Sequence, residues 1–228
     1  MKKKYDYALV SGGFDPVHVG HLRMFQDAKN LSNEVILLLN NDVEFLRPNW
    51  GYILGANAMR KEIGCVGVKL LYKNLTVQHA GIILGIGGIA GHSHKDFKSE
   101  ESGYLGRLAY SQQITAVTGA CLAISKKKWN ILNGLDEKNL KVNYNDVDLC
   151  LRAYEKNYKN LYLSNIEAIH YESKTRGKPT GKSYYQWKRE FKYMKSRWND
   201  IIKNDPNYSQ FLTLSKENWD LSLRDIGI

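Results

Sequence analysis

An uninterrupted apolar run, Val35–Leu39, ends directly in Asn-Asn-Asp at 40–42 and constrains the fold more than any other feature of the sequence. Five consecutive apolar residues between polar neighbours predict a strand that is buried on both faces of a sheet. Residues 5–13 predict another strand, and apolar residues at helical spacing predict a helix over residues 21–31. Because this order is strand, helix, strand, we expect a β-α-β start and an α/β fold.

The remaining apolar patterns predict further short elements. We expect strands over residues 66–72, 77–84, 161–162 and 168–170, and helices over residues 56–63, 126–132 and 147–157. From Ser183 onward, apolar and aromatic side chains recur every three or four residues, which predicts one long amphipathic helix. The expected architecture is a Rossmann-like α/β fold, with a mixed, mainly parallel sheet flanked by helices and the long C-terminal helix packed against it.

Composition excludes several classes of protein. The 228 residues carry a net charge of +10, and 43% are hydrophobic and 25% charged, which is typical of a globular chain and not of a disordered one. No apolar run reaches the ~18 residues that a membrane-spanning helix needs. Three scattered cysteines, Cys65, Cys121 and Cys150, argue against a disulfide framework and favour a reducing, cytoplasmic location.

A glycine-rich segment at 12–21 places two imidazoles where a predicted strand turns into a helix. The N–H groups at a helix N-terminus favour a phosphate, although a glycine turn with two surface histidines is the alternative. Over residues 5–40 the segment resembles the HxGH signature of cytidylyltransferase-like nucleotidyltransferases, whose later Ser/Thr-rich phosphate motif is not found. The resemblance implies a nucleoside triphosphate site formed by Gly13, Phe14, His18 and His21.

Six ordered motifs follow the Asn-Asn-Asp strand. They are Gly-Val-Lys-Leu-Leu-Tyr at 67–72, Gln-His-Ala-Gly at 78–81, Ala-Val-Thr-Gly-Ala-Cys at 116–121, Gly-Leu-Asp-Glu at 134–137, Asn-Asp-Val-Asp-Leu-Cys-Leu-Arg at 145–152 and His-Tyr-Glu-Ser at 170–173. Their order and spacing resemble the second half of family-2 inverting glycosyltransferases of the GT-A fold, near the rhamnosyltransferase-like members. The resemblance runs from about residue 36 to the end.

This resemblance implies a role for several polar residues. Asn41 and Asp42 match the segment that holds the metal, Mg²⁺ or Mn²⁺, and the donor diphosphate, with Asp42 as the direct metal ligand. Asp146 matches the general base that takes the proton of the acceptor hydroxyl. His170 matches a late metal or diphosphate ligand, and Arg176 is placed to pair with a phosphate.

The acceptor side is implied in the same way. The residues expected to contact the acceptor are Thr118, Gly119, Ala120 and Asp148. The implied reaction is transfer of a sugar from a nucleoside-diphosphate sugar to a glycan or lipid-linked acceptor in surface polysaccharide synthesis. Two alternatives stay open: a cytidylyltransferase-type reaction at the HxGH segment, and an inactive recombined fragment.

Several of these residues also have a purely structural interpretation. Asp146 could cap the helix that follows it, and Asp148 could supply charge to the first turn of that helix. His170 could be structural, and Arg176 could be an exposed basic residue. The pair of histidines at 92 and 94 could bind a metal, but no cysteine pattern lies nearby, so solvent exposure is expected.

Basic residues are concentrated over residues 171–198, beside the predicted amphipathic stripe. Such a helix can lie on an anionic membrane, or it can pack on the core and present its lysines to solvent. The chain is therefore expected in the cytoplasm, with a possible peripheral contact at the inner face of the membrane. Because no nucleic-acid-binding motif accompanies the charge, no nucleic-acid partner is expected.

The two resemblances meet at the strand over residues 35–42, where both families have an apolar strand that ends in Asn or Asp. We therefore expect a chimera, with a nucleotidyltransferase-like β-α-β start over residues 1–36 and a glycosyltransferase-like part over residues 37–228. The nucleotide-binding half that precedes this strand in family-2 enzymes is not found, so the donor-binding half is expected to be incomplete. The β-α-β unit is expected to join the edge of the remaining sheet.

Overall fold

The computed structural model describes residues 7–11, 35–171 and 180–222. Its strands are β1 (Tyr7–Ser11), β2 (Val35–Leu39), β3 (Val43–Phe45), β4 (Ile63–Leu71), β5 (Val77–His79), β6 (Ile82–Leu84), β7 (Ala90–His92), β8 (Gln112–Ile114), β9 (Cys121–Ser125) and β10 (Lys159–His170). Its α-helices are α1 (Trp50–Met59), α2 (Lys126–Ile131), α3 (Asn145–Glu155) and α4 (Gly181–Lys203). Within these ranges one sheet runs in the order β1-β2-β9-β4-β10-β3, with β5 paired to β4 and β8 to β10, and β6 and β7 form a separate hairpin.

The strand that constrains the fold, β2, is buried on both faces. Leu38 belongs to one cluster of buried side chains, whereas Leu37 and Leu39 belong to another, as the alternation of a strand requires. The second cluster is covered by Leu54 of α1, and the first contains apolar residues of α3 and α4. The sheet is therefore a middle layer with helices on both sides, which confirms the expected α/β layering.

The expectation of a mainly parallel sheet is wrong for the described strands. Only β1–β2 and β4–β10 pair in parallel, whereas β2–β9, β4–β9, β4–β5, β10–β8 and β10–β3 are antiparallel. Strands buried on both faces are continuous apolar runs in either orientation, so their sequence does not distinguish the two. β1 does lie at the sheet edge beside β2, as expected, and the boundary at residue 36 stays a prediction.

Other elements differ from the predictions at their ends. The helix predicted over residues 56–63 lies at Trp50–Met59, because Ile63 already begins β4. Residues 77–84 form two strands, since Gly81 between them has a φ of 95°, which glycine adopts without steric cost. The two short strands expected after residue 160 are one strand, β10, whose register against β4 shifts between Leu163 and Glu167.

The long helix α4 packs on the core, as predicted. Met194, Trp198 and Ile202 are buried within the main hydrophobic cluster, and Thr180 begins the helix with a capping box to Ser183. Among the described residues, no helix is both long and apolar enough to cross a membrane. The three cysteines are buried and free, as the absence of a disulfide framework predicted.

We expect Trp198→Ala to lower the free energy of unfolding by about 3–5 kcal/mol, because the indole is deeply buried and its loss opens a cavity. Tyr185→Ala on the same helix is the control: Tyr185 is 74% exposed, and its loss should cost less than about 0.5 kcal/mol. Urea unfolding followed by circular dichroism measures both. Equal effects of the two substitutions would show that α4 is not anchored through Trp198.

Candidate active site

A cleft of about 510 Å³ opens where β2 and β10 end and β9 begins. Because β9 runs antiparallel to β2, its start lies beside the end of β2, and the N–H of Asn40 donates to the carbonyl of Ala120 over 3.0 Å. The first turn of α3 forms a further wall. The cleft brings together the predicted residues Asn41, Asp42, Thr118, Gly119, Ala120, Asp146 and His170.

At one end of the cleft, an imidazole faces a carboxylate. Nε2 of His170 lies 3.1 Å from Nδ2 of Asn40 and 3.2 Å from Oδ1 of Asp42. Nδ1 of His170 lies 2.7 Å from Oε1 of Gln78. Since an amide oxygen can only accept, Nδ1 carries the proton, and in the neutral ring Nε2 accepts a hydrogen bond from Nδ2–H of Asn40 beside the Asp42 carboxylate.

This arrangement fits a divalent cation. Nε2 of His170 and Oδ1 of Asp42 lie close enough to bind one metal ion, which would replace Asn40 as the partner of Nε2, and the hydrogen bond from Nδ1 to Gln78 is the kind of outer contact that orients a ligating histidine. Within the part of the chain that the structure describes, no group of three or more His, Cys, Asp or Glu side chains could hold a metal. A cation held by Asp42 and His170 would therefore need further ligands from water and from a bound phosphate.

Asp146 also lines the cleft, in the first turn of α3. Its Oδ2 accepts a hydrogen bond from Gly119 N–H and its Oδ1 one from Val147 N–H, each over 2.8 Å. Burial raises the pKa of this carboxyl group, and the two N–H donors oppose that shift. Tyr144, with a φ of 64°, is the N-cap residue, so Asp146 is not the helix cap but satisfies one N–H of the first turn.

Asp148 does not face the cleft, so the expected contact with an acceptor is wrong. Its side chain is fully buried and accepts hydrogen bonds from Arg152 over 2.7 Å and from Trp198 Nε1 over 2.9 Å. Arg152 in turn donates to the carbonyls of Leu132 and Gly134. Residues two apart on a helix point in different directions, so when Asp146 faces the cleft Asp148 faces α4. The alternative of a structural first-turn charge is the one that the structure supports.

A buried carboxylate on α4 supports the segment that leads to Asp146. Glu190 accepts hydrogen bonds from the backbone N–H groups of Lys141, Val142 and Asn143 over 2.8–3.3 Å. The indole N–H of Trp187 on the same helix donates to the hydroxyl of Tyr144. The segment 141–144 is therefore tied to α4, and three of its residues line the cleft.

The cleft lining also includes His92, which the sequence analysis expected to be exposed to solvent, and Lys95. His92 lines the cleft, and its Nδ1 lies 2.9 Å from Nδ1 of the buried His79. Burial lowers the pKa of both rings, for His92 to about 4, so both are neutral near pH 7. Lys95 lines the same wall. His79 belongs to the quoted motif at 78–81, but its contact with His92, which lies in another strand, is not visible in the sequence.

Solvent exposure of the segment 92–94 was expected and is wrong. His94 is fully buried: its Nδ1 contacts Oγ of Ser93 over 2.7 Å, and its ring stacks on Trp219. The indole N–H of Trp219 donates to the same Ser93 hydroxyl. A segment more than a hundred residues later in the chain thus covers these side chains. His92 and His94 have different partners and do not form the metal pair that was considered.

Five predicted site residues lie outside the described residues. They are Gly13, Phe14, His18, His21 and Arg176. Their proposed roles stay predictions.

Comparison with known sequences finds two curated relatives. An uncharacterized protein, y4gI, from Sinorhizobium fredii (strain NBRC 101917 / NGR234) is 40% identical over 190 residues, which are 83% of this chain and 21% of that protein. The O-antigen biosynthesis protein RfbC from Myxococcus xanthus is 34% identical over 195 residues, 85% of this chain and 15% of that protein. The chain thus spans about a fifth or less of the length of these relatives.

Two further comparisons concern the fold and the N-terminal segment. The crystal structure of GalNAc-T7 with UDP, GalNAc and Mn²⁺ matches with a TM-score of 0.55 and 13% identity, over 86% of this chain and 38% of that one. The described structure is therefore a mixed α/β fold similar to the GT-A glycosyltransferase fold. The cytidylyltransferase-like family model matches residues 9–48, which include the predicted HxGH segment.

Proposed function

We propose that this chain forms the catalytic cleft of a metal-assisted, inverting glycosyltransferase that uses a nucleoside-diphosphate sugar. The observation that carries the proposal is that one cleft contains both Asp42, which is paired with His170, and the buried Asp146, which is held by the Gly119 N–H. The glycosyltransferase-like fold and the relative named for O-antigen biosynthesis support this reaction class and a role in surface polysaccharide synthesis.

The Asp42 side of the cleft is the donor side of the proposed site. Asp42 and His170 would hold a divalent cation, and an imidazole ligand favours Mn²⁺ over Mg²⁺, which prefers an all-oxygen set. When bound, the cation neutralises negative charge on the departing diphosphate. Asn41 and Lys95 also line the cleft and can donate hydrogen bonds to phosphate oxygens. Arg176 is proposed as a further phosphate partner.

Asp146 is proposed as the general base. Its ionised carboxylate accepts the proton of an acceptor hydroxyl while that oxygen attacks the anomeric carbon of the donor sugar. The bond from this carbon to the diphosphate oxygen breaks, the diphosphate leaves with the electron pair, and attack from the opposite face inverts the configuration. Burial supports this role, because a carboxylate with a raised pKa is a stronger base.

The acceptor is proposed to lie along Thr118, Gly119 and Ala120, which line the cleft next to Asp146. A glycan or lipid-linked hydroxyl fits this open, partly polar wall. The exposed basic side chains of α4, such as Lys188 and Lys192, could attract an anionic membrane surface, which would place the cleft near a lipid-linked acceptor at the inner face of the membrane.

We expect Asp146→Asn to lower the rate of nucleoside diphosphate release by about 10²–10⁴-fold, because the amide cannot take the acceptor proton. The measurement uses UDP-, GDP- and dTDP-sugars with Mn²⁺ and an acceptor fraction. In the unsubstituted chain, activity should fall as the pH drops through the Asp146 pKa. That fall should begin at a higher pH than for an ordinary aspartate, since burial raises this pKa.

The control for this substitution is Asp200→Asn, which changes an exposed carboxylate on α4 and should leave turnover unchanged. Thermal unfolding of both variants separates catalysis from folding. Full turnover by a folded Asp146→Asn variant would exclude Asp146 as the base.

The match of residues 9–48 to the cytidylyltransferase-like model favours a second candidate function. In this reaction His18 and His21 would bind a nucleoside triphosphate that is attacked by a phosphorylated substrate. Pyrophosphate release from CTP with sugar phosphates, lost in His18→Ala and kept in Asp146→Asn, would support it. We expect no such release from the described cleft, and release that depends on His18 would establish the second function instead.

A further inference from the structure

Two consecutive residues of β5 each contact a different imidazole of the cleft. Gln78 accepts a hydrogen bond from Nδ1 of His170 over 2.7 Å, as described above. His79, the next residue, contacts Nδ1 of His92 through its own Nδ1 over 2.9 Å. One short strand therefore determines which ring nitrogen carries the proton in each of two histidines that line the same cleft.

The backbone fixes the direction of the hydrogen bond between His79 and His92. The N–H of Thr118 donates to Nε2 of His79 over 3.4 Å, so Nε2 carries no proton. In the neutral ring of His79, the proton must then lie on Nδ1, which donates to Nδ1 of His92. Because Nδ1 of His92 accepts, the neutral ring of His92 carries its proton on Nε2.

This Nε2–H group of His92 is open to the cleft. Among the described residues, this nitrogen has no hydrogen-bond partner. It is not among the buried polar atoms without a partner, where only Nε of Arg107 is found in the described part of the chain, so it is accessible. His92 is partly exposed, and its ring belongs to the cleft lining. The two cleft histidines are thus opposite tautomers: Nε2 of His170 is an acceptor, which contacts Asn40, whereas Nε2–H of His92 is a donor.

We propose that Nε2–H of His92 donates a hydrogen bond to an oxygen of the nucleotide-sugar donor. His79 is the positioning residue that holds His92 in its donating tautomer. The ligand part of this inference rests on the proposed glycosyltransferase function. The acceptor oxygen belongs either to the diphosphate or to a sugar hydroxyl, since both accept from a neutral N–H group. A neutral donor at this position orients the ligand without adding a charge beside Asp42 and His170.

The tautomers can be measured without any ligand. Two-bond ¹H–¹⁵N correlation spectra of the ¹⁵N-labelled chain near neutral pH report which ring nitrogen carries the proton, and the signals missing from His92→Phe assign His92. We expect the proton on Nε2 of His92 and on Nδ1 of His79. A proton on Nδ1 of His92, or a charged His92 ring, would overturn the inference whatever the enzyme does.

The contact with the donor is tested by titration calorimetry with UDP, GDP and dTDP, and with their sugar conjugates, all in the presence of Mn²⁺. His92→Phe should weaken binding about tenfold, the effect of losing one hydrogen bond. If His92→Phe weakens binding of the nucleoside diphosphates, the oxygen that accepts from His92 belongs to the diphosphate. If it weakens binding of the sugar conjugates alone, that oxygen belongs to the sugar. Unchanged affinity for both would contradict the contact.

Two controls complete the binding test. Tyr110→Phe removes the hydroxyl of a residue that is 73% exposed, and this variant should bind as the unsubstituted chain does. If the unsubstituted chain binds none of the six ligands, the proposed function and the ligand assignment both fail, while the tautomer measurement still decides the positioning role of His79.

The positioning role of His79 has its own pair of variants. In His79→Gln, the side-chain oxygen can accept from Thr118 N–H and the amide N–H₂ can donate to His92, so the Nε2–H tautomer and the affinity should be kept. His79→Leu has similar size but no hydrogen-bonding atoms, and both tautomers of His92 should appear with a loss in affinity of about tenfold. An unaltered His92 tautomer in a folded His79→Leu variant would contradict the role of His79.

Discussion

The antiparallel ladder between β2 and β9 is the interaction on which the site depends. Its five pairs run from Val35 opposite Ser125 to Leu39 opposite Cys121, and the N–H of Asn40 extends it to the carbonyl of Ala120. Because the strands run in opposite directions, the end of one meets the start of the other. The segment that bears Asp42 thereby lies beside the glycine segment that holds Asp146.

The elements around the cleft are held together by buried carboxylates that accept hydrogen bonds from N–H groups. Asp148 and Glu190 are fully buried carboxylates, and each is surrounded by N–H donors from two or more elements. A buried carboxylate without such donors would cost several kcal/mol, on the order of the desolvation penalty of an ion. These contacts tie α3 and the segment before it to α4. The long helix is therefore part of the support of the site and not only a cover of the core.

The sequence predicted the parts of this structure that have a local signal. The apolar run before Asn40 predicted a strand buried on both faces, and the stripe after Ser183 predicted a long helix, and both are present. Strand direction was not predictable, because burial on both faces leaves the same apolar run in a parallel and an antiparallel strand. The order of the motifs was enough to predict that Asp42, Asp146 and His170 share one site, although the pairing of the strands was not known, and all three line one cleft. Asp148 was misplaced because motif order does not give the direction of a helical side chain. His92 was expected at the surface because its contact with His79, in another strand, leaves no local signal in the sequence.

In the proposed reaction, Asp42 and His170 act together as metal ligands in the presence of a nucleotide. Electron paramagnetic resonance of free Mn²⁺, titrated with the chain and UDP, GDP or dTDP, measures this directly. We expect Mn²⁺ to bind in a complex with a nucleoside diphosphate, and Asp42→Asn and His170→Phe each to weaken this binding by about tenfold or more. Binding of Mn²⁺ by both folded variants with the affinity of the unsubstituted chain, or no binding by the unsubstituted chain, would contradict it.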